Sequence, residues 1–133
     1  METTQISKSR LWASWTMSGL VILFMLVDAV FKLLPPNEMM KASVHELGYA
    51  EHHLPIMGIL ALIATILYIV PSTSVLGAVL LTGYFGGAIA THVRIDNPLF
   101  SHVLFPVYLG ILMWGGLWLR DHRVGKVLLS TGR

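Results

Sequence analysis

The chain has 133 residues, of which 55% are hydrophobic and 12% are charged, and its formal net charge is +2. An ordinary soluble domain carries about 25% charged residues, so this composition is typical of an integral membrane protein of one domain. The basic residues are interpreted as topology signals, and no nucleic-acid partner is predicted. The chain contains no cysteine, which excludes disulfide exchange, thiolate catalysis and cysteine-bound metals.

Four apolar runs predict membrane-spanning helices at about residues 11–34, 55–70, 75–93 and 99–119. Pro35 and Pro36 end the first run, because neither proline can donate a backbone hydrogen bond. Pro106, inside the fourth run, predicts a kink. Four spans with short connections predict an all-α integral membrane fold, an antiparallel bundle of four transmembrane helices that occupies residues 1–133 as a single domain.

The segment 37–54, between the first two spans, is predicted to be amphipathic. One side of a helix over these residues carries Met40, Val44, Leu47 and Leu54, and the other carries Glu38, Lys41, His45, Tyr49 and His52. Asn37 is suited to cap its N-terminus. Such a segment is expected to lie at the membrane surface or over the end of the bundle.

The distribution of lysine and arginine predicts the orientation of the bundle. An even number of spans places both termini on one side, where the basic residues are Lys8, Arg10, Arg120, Arg123, Lys126 and Arg133. The other side has only Lys32, Lys41 and Arg94. Because basic residues are enriched in cytoplasmic segments, both termini are predicted to be cytoplasmic.

The third span contains regularly spaced small residues and is followed by the charged residue Arg94. Gly83 and Gly87 are four residues apart, and Tyr84, Thr91 and His92 share a neighbouring face. Small residues let helices approach closely in a membrane, so this span is expected to pack tightly on its neighbours. A homo-oligomer is a further hypothesis, through the surfaces that contain Gly83/Gly87 or Gly110/Gly115/Gly116.

The topology gathers nearly all titratable side chains at one end of the bundle. The first and third spans end there, the second and fourth begin there, and the amphipathic segment belongs to the same end. This end is expected to hold five of the six histidines, whereas His122 lies opposite. The turn at Pro71–Ser74, at the other end, has no charged residue. One end is therefore expected to carry the chemistry and the other to act mostly as an anchor.

The sequence resembles the DoxX-like family of small bacterial four-helix membrane proteins. The resemblance covers roughly residues 18–121 and includes the run from Gly83 to Arg94, Asn97-Pro98, and Pro106 to Gly110. It implies a four-helix fold in a bacterial inner membrane and an association with quinones or other redox systems. Some redox relatives in the wider group employ cysteine pairs, and this chain has no cysteine, which excludes a thiol-redox role.

The candidate site residues are polar groups of the charged end, together with Tyr84, which lies deeper in the third span. Asp28 and His92 are candidate acid–base groups, because a carboxylate and an imidazole can exchange protons with a substrate. The candidate ligand-binding residues are Lys32, His45, Tyr49, Tyr84, Arg94 and His102. The predicted function is binding of a small hydrophobic molecule or quinone. No cofactor is identified from these residues.

Several alternatives remain open for the same residues. An enzyme that moves protons on a hydrophobic substrate, such as an isomerase, cyclase or hydrolase, would use Asp28 or a histidine. A transition-metal site would use His52, His92 and His102, since imidazole binds Zn, Cu and Fe. In purely structural interpretations, Lys32 reaches the interface beside Asp28, Arg94 pairs with Asp96, and the histidines of the 45–53 segment coat a polar surface.

Overall fold

The computed structural model describes residues 6–129. Arg133, which contributes to the predicted orientation, lies outside these residues. Six α-helices are present within them: α1 (Lys8–Leu33), α2 (Glu38–Glu46), α3 (Leu54–Ile69), α4 (Ser74–Arg94), α5 (Phe105–Arg120) and α6 (His122–Leu128). Short 3₁₀ turns precede α3 and α4, at Glu51–His53 and Pro71–Thr73. One turn of π-helix, Leu99–Val103, precedes α5.

Four helical segments are long and apolar enough to cross a membrane: Lys8–Leu33, Glu51–Ile69, Pro71–Arg94 and Leu99–Arg120. They form a ring in which α1 and α4 each contact both α3 and α5. Large apolar side chains such as Leu23, Ile63 and Ile111 are at least half exposed on the outside of the bundle, where lipid would cover them. The predicted all-α membrane bundle is confirmed.

The ends of the helices follow local signals in the sequence. Asn37 caps α2 as predicted, because its side-chain oxygen accepts from the backbone N–H of Met40 at 2.8 Å. Pro55 lies in the first turn of α3, where a proline has no hydrogen bond to lose. The first span ends at Leu33, just before Pro35 and Pro36. The caps and prolines therefore set these boundaries locally.

The amphipathic segment is not one continuous helix. Helix α2 ends at Glu46, and Gly48 has a φ of +84°, a conformation that glycine adopts without steric cost. This bend takes Tyr49 away from the polar face on which a continuous helix would place it. Val44 and Leu54 are buried as the apolar face predicts. The segment is therefore a short helix and a bend that together cover one end of the bundle.

The fourth span and the C-terminal end also differ from the simplest expectation. Pro106 lies in the first turn of α5, after the π-helical turn, so the span changes geometry before the proline and not at a kink within a continuous helix. Helix α6 has no counterpart among the predicted elements. It begins after Asp121, whose carboxylate accepts from the backbone N–H of Arg123 at 3.0 Å, an N-cap that the sequence analysis missed.

Close helix packing occurs at Gly77 and Gly116 and not at the glycines in the middle of α4. A methyl group at Gly77 would lie 2.2 Å from the backbone nitrogen of Tyr68, so α3 and α4 are nearly in backbone contact there. Gly116 packs as closely on Ser18 of α1. By contrast, a methyl group at Gly83 or Gly87 would meet nothing within 4 Å. The expectation of tight packing at Gly83 and Gly87 is therefore wrong for contacts within the described chain.

The end of the bundle that carries the termini contains a buried polar network. The guanidinium of Arg120 donates to the hydroxyl oxygens of Ser14, at 3.1 Å, and Ser18, at 2.5 Å. It also lies 4.2 Å from the ring centre of Trp15. Ser18 shares a 2.7 Å hydrogen bond with the Tyr68 hydroxyl, which donates to the carbonyl of Met113. Arg120 thus joins α1, α3 and α5, a role beyond the simple anchor predicted from its position.

Candidate functional site

A cavity of about 450 Å³ lies between the helices at the end covered by α2. This volume is within the range of about 300–1,000 Å³ that is usual for small-molecule sites. Most of the wall is apolar, and α1, α3, α4 and α5 all contribute to it. Its apolar side chains include Phe24, Met25, Val44, Leu54, Met57, Leu60, Phe85, Phe105 and Leu109. Its polar side chains are Asp28, Lys32, Tyr49, Tyr84, Thr91 and His92.

One wall of the cavity carries a hydrogen-bonded group made by Asp28, Lys32 and Tyr84. Lys32 forms an ion pair with Asp28, one helical turn earlier on α1, and donates to the Tyr84 hydroxyl of α4 at 2.7 Å. That hydroxyl lies 3.4 Å from the carboxylate of Asp28, to which it donates. The side chains of Lys32 and Asp28 are 16% and 28% exposed, so the pair is partly desolvated. The arrangement presents both charges and a phenol to a mainly apolar space.

A second polar group lies nearer the end of α4. Thr91 donates to the carbonyl of Gly87 at 2.9 Å, so its hydroxyl oxygen accepts from the Tyr49 hydroxyl at 2.7 Å. The side-chain amide of Asn97 lies 2.7 Å from His92 Nδ1. When the amide donates to this nitrogen, the ring proton of neutral His92 is on Nε2. Tyr49 and His92 therefore belong to the cavity wall, each held by a neighbour.

The bend after α2 is fastened to the end of α4 and covers the cavity. Arg94 donates from its guanidinium to the carbonyl of Leu47, and a side chain at Gly48 would collide with that guanidinium, 2.3 Å away. The Tyr49–Thr91 hydrogen bond is the second attachment. Arg94 thus holds the bend after α2 in place, and it does not line the cavity. The pairing of Arg94 with Asp96 is not among the ion pairs of residues 6–129.

The candidate residues are only partly brought together. Asp28, Lys32, Tyr49, Tyr84 and His92 line the cavity, whereas the remaining candidates lie outside its wall: His45, His52, Arg94 and His102. His45 belongs to a separate surface depression beside Lys41 and Glu51. The ring centres of His92 and His102 are 5.7 Å apart, and those of His52 and His53 are 4.3 Å apart in an edge-to-face contact. The histidines are spread over this end and do not form one cluster.

The alternative of a metal site finds no support in this geometry. Among residues 6–129, no group of three or more histidine, aspartate or glutamate side chains is placed to hold a metal ion. His52, His92 and His102 are on different segments, and His102 is exposed beside the hydroxyl of Ser101 at 2.7 Å. A Zn²⁺ ion would need three or four protein ligands directed at one point.

Sequence reasoning missed the apolar part of the wall, and it placed Thr91 on the polar face of the third span without including it among the candidate site residues. Phe24 and Phe105 close the side between α1 and α5, with ring centres 5.1 Å apart in an edge-to-face contact. Nothing distinguishes such residues in the sequence from lipid-facing side chains. Thr91 had a usable signal, since it is seven residues after Tyr84 and shares its helical face. A polar stripe on an apolar span is therefore the useful indicator here.

The fold and the cavity define a class: a multi-pass membrane protein of four spanning helices with an internal, mainly apolar cavity at one end. The chain belongs to the DoxX-like family, whose family model matches residues 16–116. The resemblance noted from the sequence is thus confirmed over most of the chain. No match was found among curated proteins or among solved structures.

Proposed function

We propose that this protein is a bacterial inner-membrane protein that binds a small hydrophobic molecule in the cavity. The observation that carries the proposal is the presence of Asp28, Lys32 and Tyr84 on the wall of a mainly apolar space of about 450 Å³. Ionisable side chains inside a membrane-spanning region are costly and usually mark a functional cavity. The apolar wall suits the body of a lipid-soluble molecule, and the polar group suits an oxygen on it. A quinone has both features, and a bound quinone would give the protein a redox-associated role.

Binding is expected to depend on the cavity volume and on the Tyr84 hydroxyl. Ala88→Phe would fill part of the cavity and should abolish retention of the hydrophobic molecule by purified protein. Tyr84→Phe removes the hydroxyl that holds Lys32 beside Asp28, and should weaken retention about fivefold to tenfold, the equivalent of one hydrogen bond. The measurement is quantitative mass spectrometry of lipids extracted from the purified variants.

The matched control for this experiment is Tyr108→Phe. The Tyr108 hydroxyl donates to the carbonyl of Phe100 at 2.9 Å, and the side chain does not line the cavity. Its removal should leave the extracted lipids unchanged. Equal retention by the wild type and by Ala88→Phe would contradict binding in the cavity.

A second candidate function is acid–base catalysis on the same bound molecule. The observation in its favour is that Asp28, Tyr84 and His92, three groups able to carry a proton, line one cavity. In that case Asp28 or His92 would act on the substrate, and Lys32 would stabilise negative charge that develops on it. The discriminating result is a product that accumulates in membranes with the wild-type protein and is lost in Asp28→Asn, although the variant folds.

We further propose that both termini are cytoplasmic and that the cavity faces the outer half of the membrane. The basic residues support this orientation, since Lys8, Arg10, Arg120, Arg123 and Lys126 lie at the terminal end. The chain lacks cysteine, so single-cysteine variants report on it directly. In intact bacterial cells, an impermeant maleimide should label Ala42→Cys on α2 and spare Ser72→Cys in the opposite turn. The reverse pattern would overturn the orientation.

A further inference from the structure

The cavity has a gap in its wall between α3 and α4. Gly83, Gly87 and Leu60 all line the cavity and are all exposed on the outside of the bundle. These two helices touch closely at Gly77 and Tyr68, near the opposite end. Beside the cavity α3 packs on α1 instead, where a methyl group at Gly58 would lie 3.0 Å from Leu33. Helix α3 therefore approaches α4 most closely at the far end, and the cavity is open beside Gly83 and Gly87, where an added methyl group would meet nothing within 4 Å.

On its other sides the cavity is spanned by contacts between neighbouring elements. The rings of Phe24 and Phe105 meet between α1 and α5. Trp114 of α5 donates to the Thr82 hydroxyl on the opposite flank of α4 at 2.8 Å. The bend after α2 closes the end, fastened by Arg94 and Tyr49. Since Gly83 lies near the middle of α4, the gap at its side faces the apolar part of a bilayer and not water.

The charges inside the cavity cancel. Asp28 and Lys32 are the formally charged side chains of the wall when histidine is counted as neutral, and they form an ion pair with each other. A carboxylate or an amine on the ligand would add an unbalanced charge to a poorly solvated space, which is costly. A ligand carboxylate would also compete with Asp28 for Lys32, and a ligand amine would compete with Lys32 for Asp28. The cavity is therefore suited to an uncharged polar group.

The hydrogen bonds define where that group would bind. An ammonium has three N–H donors, and Lys32 uses one on Asp28 and one on Tyr84. Among residues 6–129, no partner takes the third donor of Lys32. A carbonyl or hydroxyl oxygen can accept this N–H without disturbing the ion pair. An unsubstituted alkane has no such oxygen and would leave this N–H of Lys32 without a hydrogen-bond partner.

Resting on the proposed function, we infer that the cavity takes an uncharged lipid bearing a carbonyl or hydroxyl oxygen directly from the bilayer, through the gap between α3 and α4. The oxygen accepts from Lys32, and the hydrocarbon body lies among the apolar side chains. The molecule reaches the cavity without passing through water.

The ligand class is tested with four photoreactive probes of equal chain length: a methyl ketone, a primary alcohol, a fatty acid and a primary amine. Each is added to wild-type protein in lipid nanodiscs, and labelling of cavity peptides is measured by mass spectrometry. The ketone and alcohol should label these peptides at least about tenfold more than the acid and amine, the ratio expected for about 1.4 kcal/mol of discrimination. Preference for the acid or amine overturns the inference but leaves the proposed function intact. Absence of cavity labelling by every probe overturns both.

The route is tested by narrowing the gap and following the rate of labelling by the ketone. Gly83→Leu should slow labelling several-fold, because the new side chain occupies the opening. Gly86→Leu is the matched control, since Gly86 is also exposed and uncrowded on α4 but does not line the cavity. Leu60→Trp narrows the gap from α3 and provides a second variant if the first is unstable. Wild-type rates in both Gly83→Leu and Leu60→Trp would overturn entry from the bilayer.

Discussion

Gly77→Ala is expected to destabilise the protein severely, although it adds only one methyl group. That methyl would lie 2.2 Å from the backbone nitrogen and 2.5 Å from the Cα of Tyr68, and backbone atoms cannot move aside as a flexible side chain can. Overpacking of this kind costs about 1–3 kcal/mol, and a backbone collision belongs at the upper end of that range. The measurement is the free energy of unfolding in bicelles, supported by the melting temperature in detergent.

Gly86→Ala is the control for that substitution, since it adds the same methyl group to the same helix. A methyl at Gly86 meets nothing within 4 Å, and alanine favours a helix over glycine by about 1 kcal/mol. The control should therefore be as stable as the wild type or slightly more so. Equal stability of Gly77→Ala and Gly86→Ala would contradict the close approach of α3 and α4.

Arg120→Ala is expected to produce the second large loss of stability. The substitution removes two hydrogen bonds from a charged donor to Ser14 and Ser18, together with the contact on Trp15. Each hydrogen bond to a charged group contributes about 1.5–3 kcal/mol and a cation–π contact about 0.5–2 kcal/mol, so a loss of at least about 3.5 kcal/mol is expected. The same unfolding measurement detects it.

Arg123→Ala separates the effect of the buried network from a general loss of positive charge. Arg123 is also near the end of the fourth span, but its side chain is 59% exposed and pairs with Asp121 at the surface. Exposed ion pairs contribute about 0–1 kcal/mol, so this variant should unfold almost as the wild type does. A loss as large as that of Arg120→Ala would show that charge, and not the network, is responsible.

Much of the fold could be predicted because a membrane imposes simple rules on the sequence. A spanning helix needs a long apolar run, and such runs indicated all four spans. Asn37 acts through its own side chain and Pro55 through its own backbone geometry, so their positions at helix starts were also predictable. Gly48 was harder to interpret, because a single glycine is compatible with a helix until a partner such as Arg94 makes a bend favourable. Helix α6 is short and polar enough that its sequence resembles a tail.

The depth of the candidate site residues in the membrane was predictable from the sequence. The rotation of each helix, which decides the side chains that face inward, was not. Counting spans places Asp28, His92 and His102 towards one end, since each turn reverses the chain. Which of them face inward depends on how each helix is rotated, and packing at positions such as Gly58 and Gly77 sets that rotation. Hence the pairing of Lys32 with Asp28 on one helix could be foreseen, whereas its bond to Tyr84 could not.

Because the gap between α3 and α4 opens to the bilayer, the affinity of the cavity for a ligand refers to the ligand's concentration in the bilayer and not in water. A lipid-soluble molecule is concentrated in the bilayer before it meets the protein, by about 0.8 kcal/mol for each methylene transferred from water. A cavity filled from the bilayer is therefore governed by the mole fraction of the molecule among the surrounding lipids. Adding empty lipid at constant protein and probe should lower occupancy, while adding buffer should have little effect. The membrane then serves as the reservoir that sets how full the cavity is.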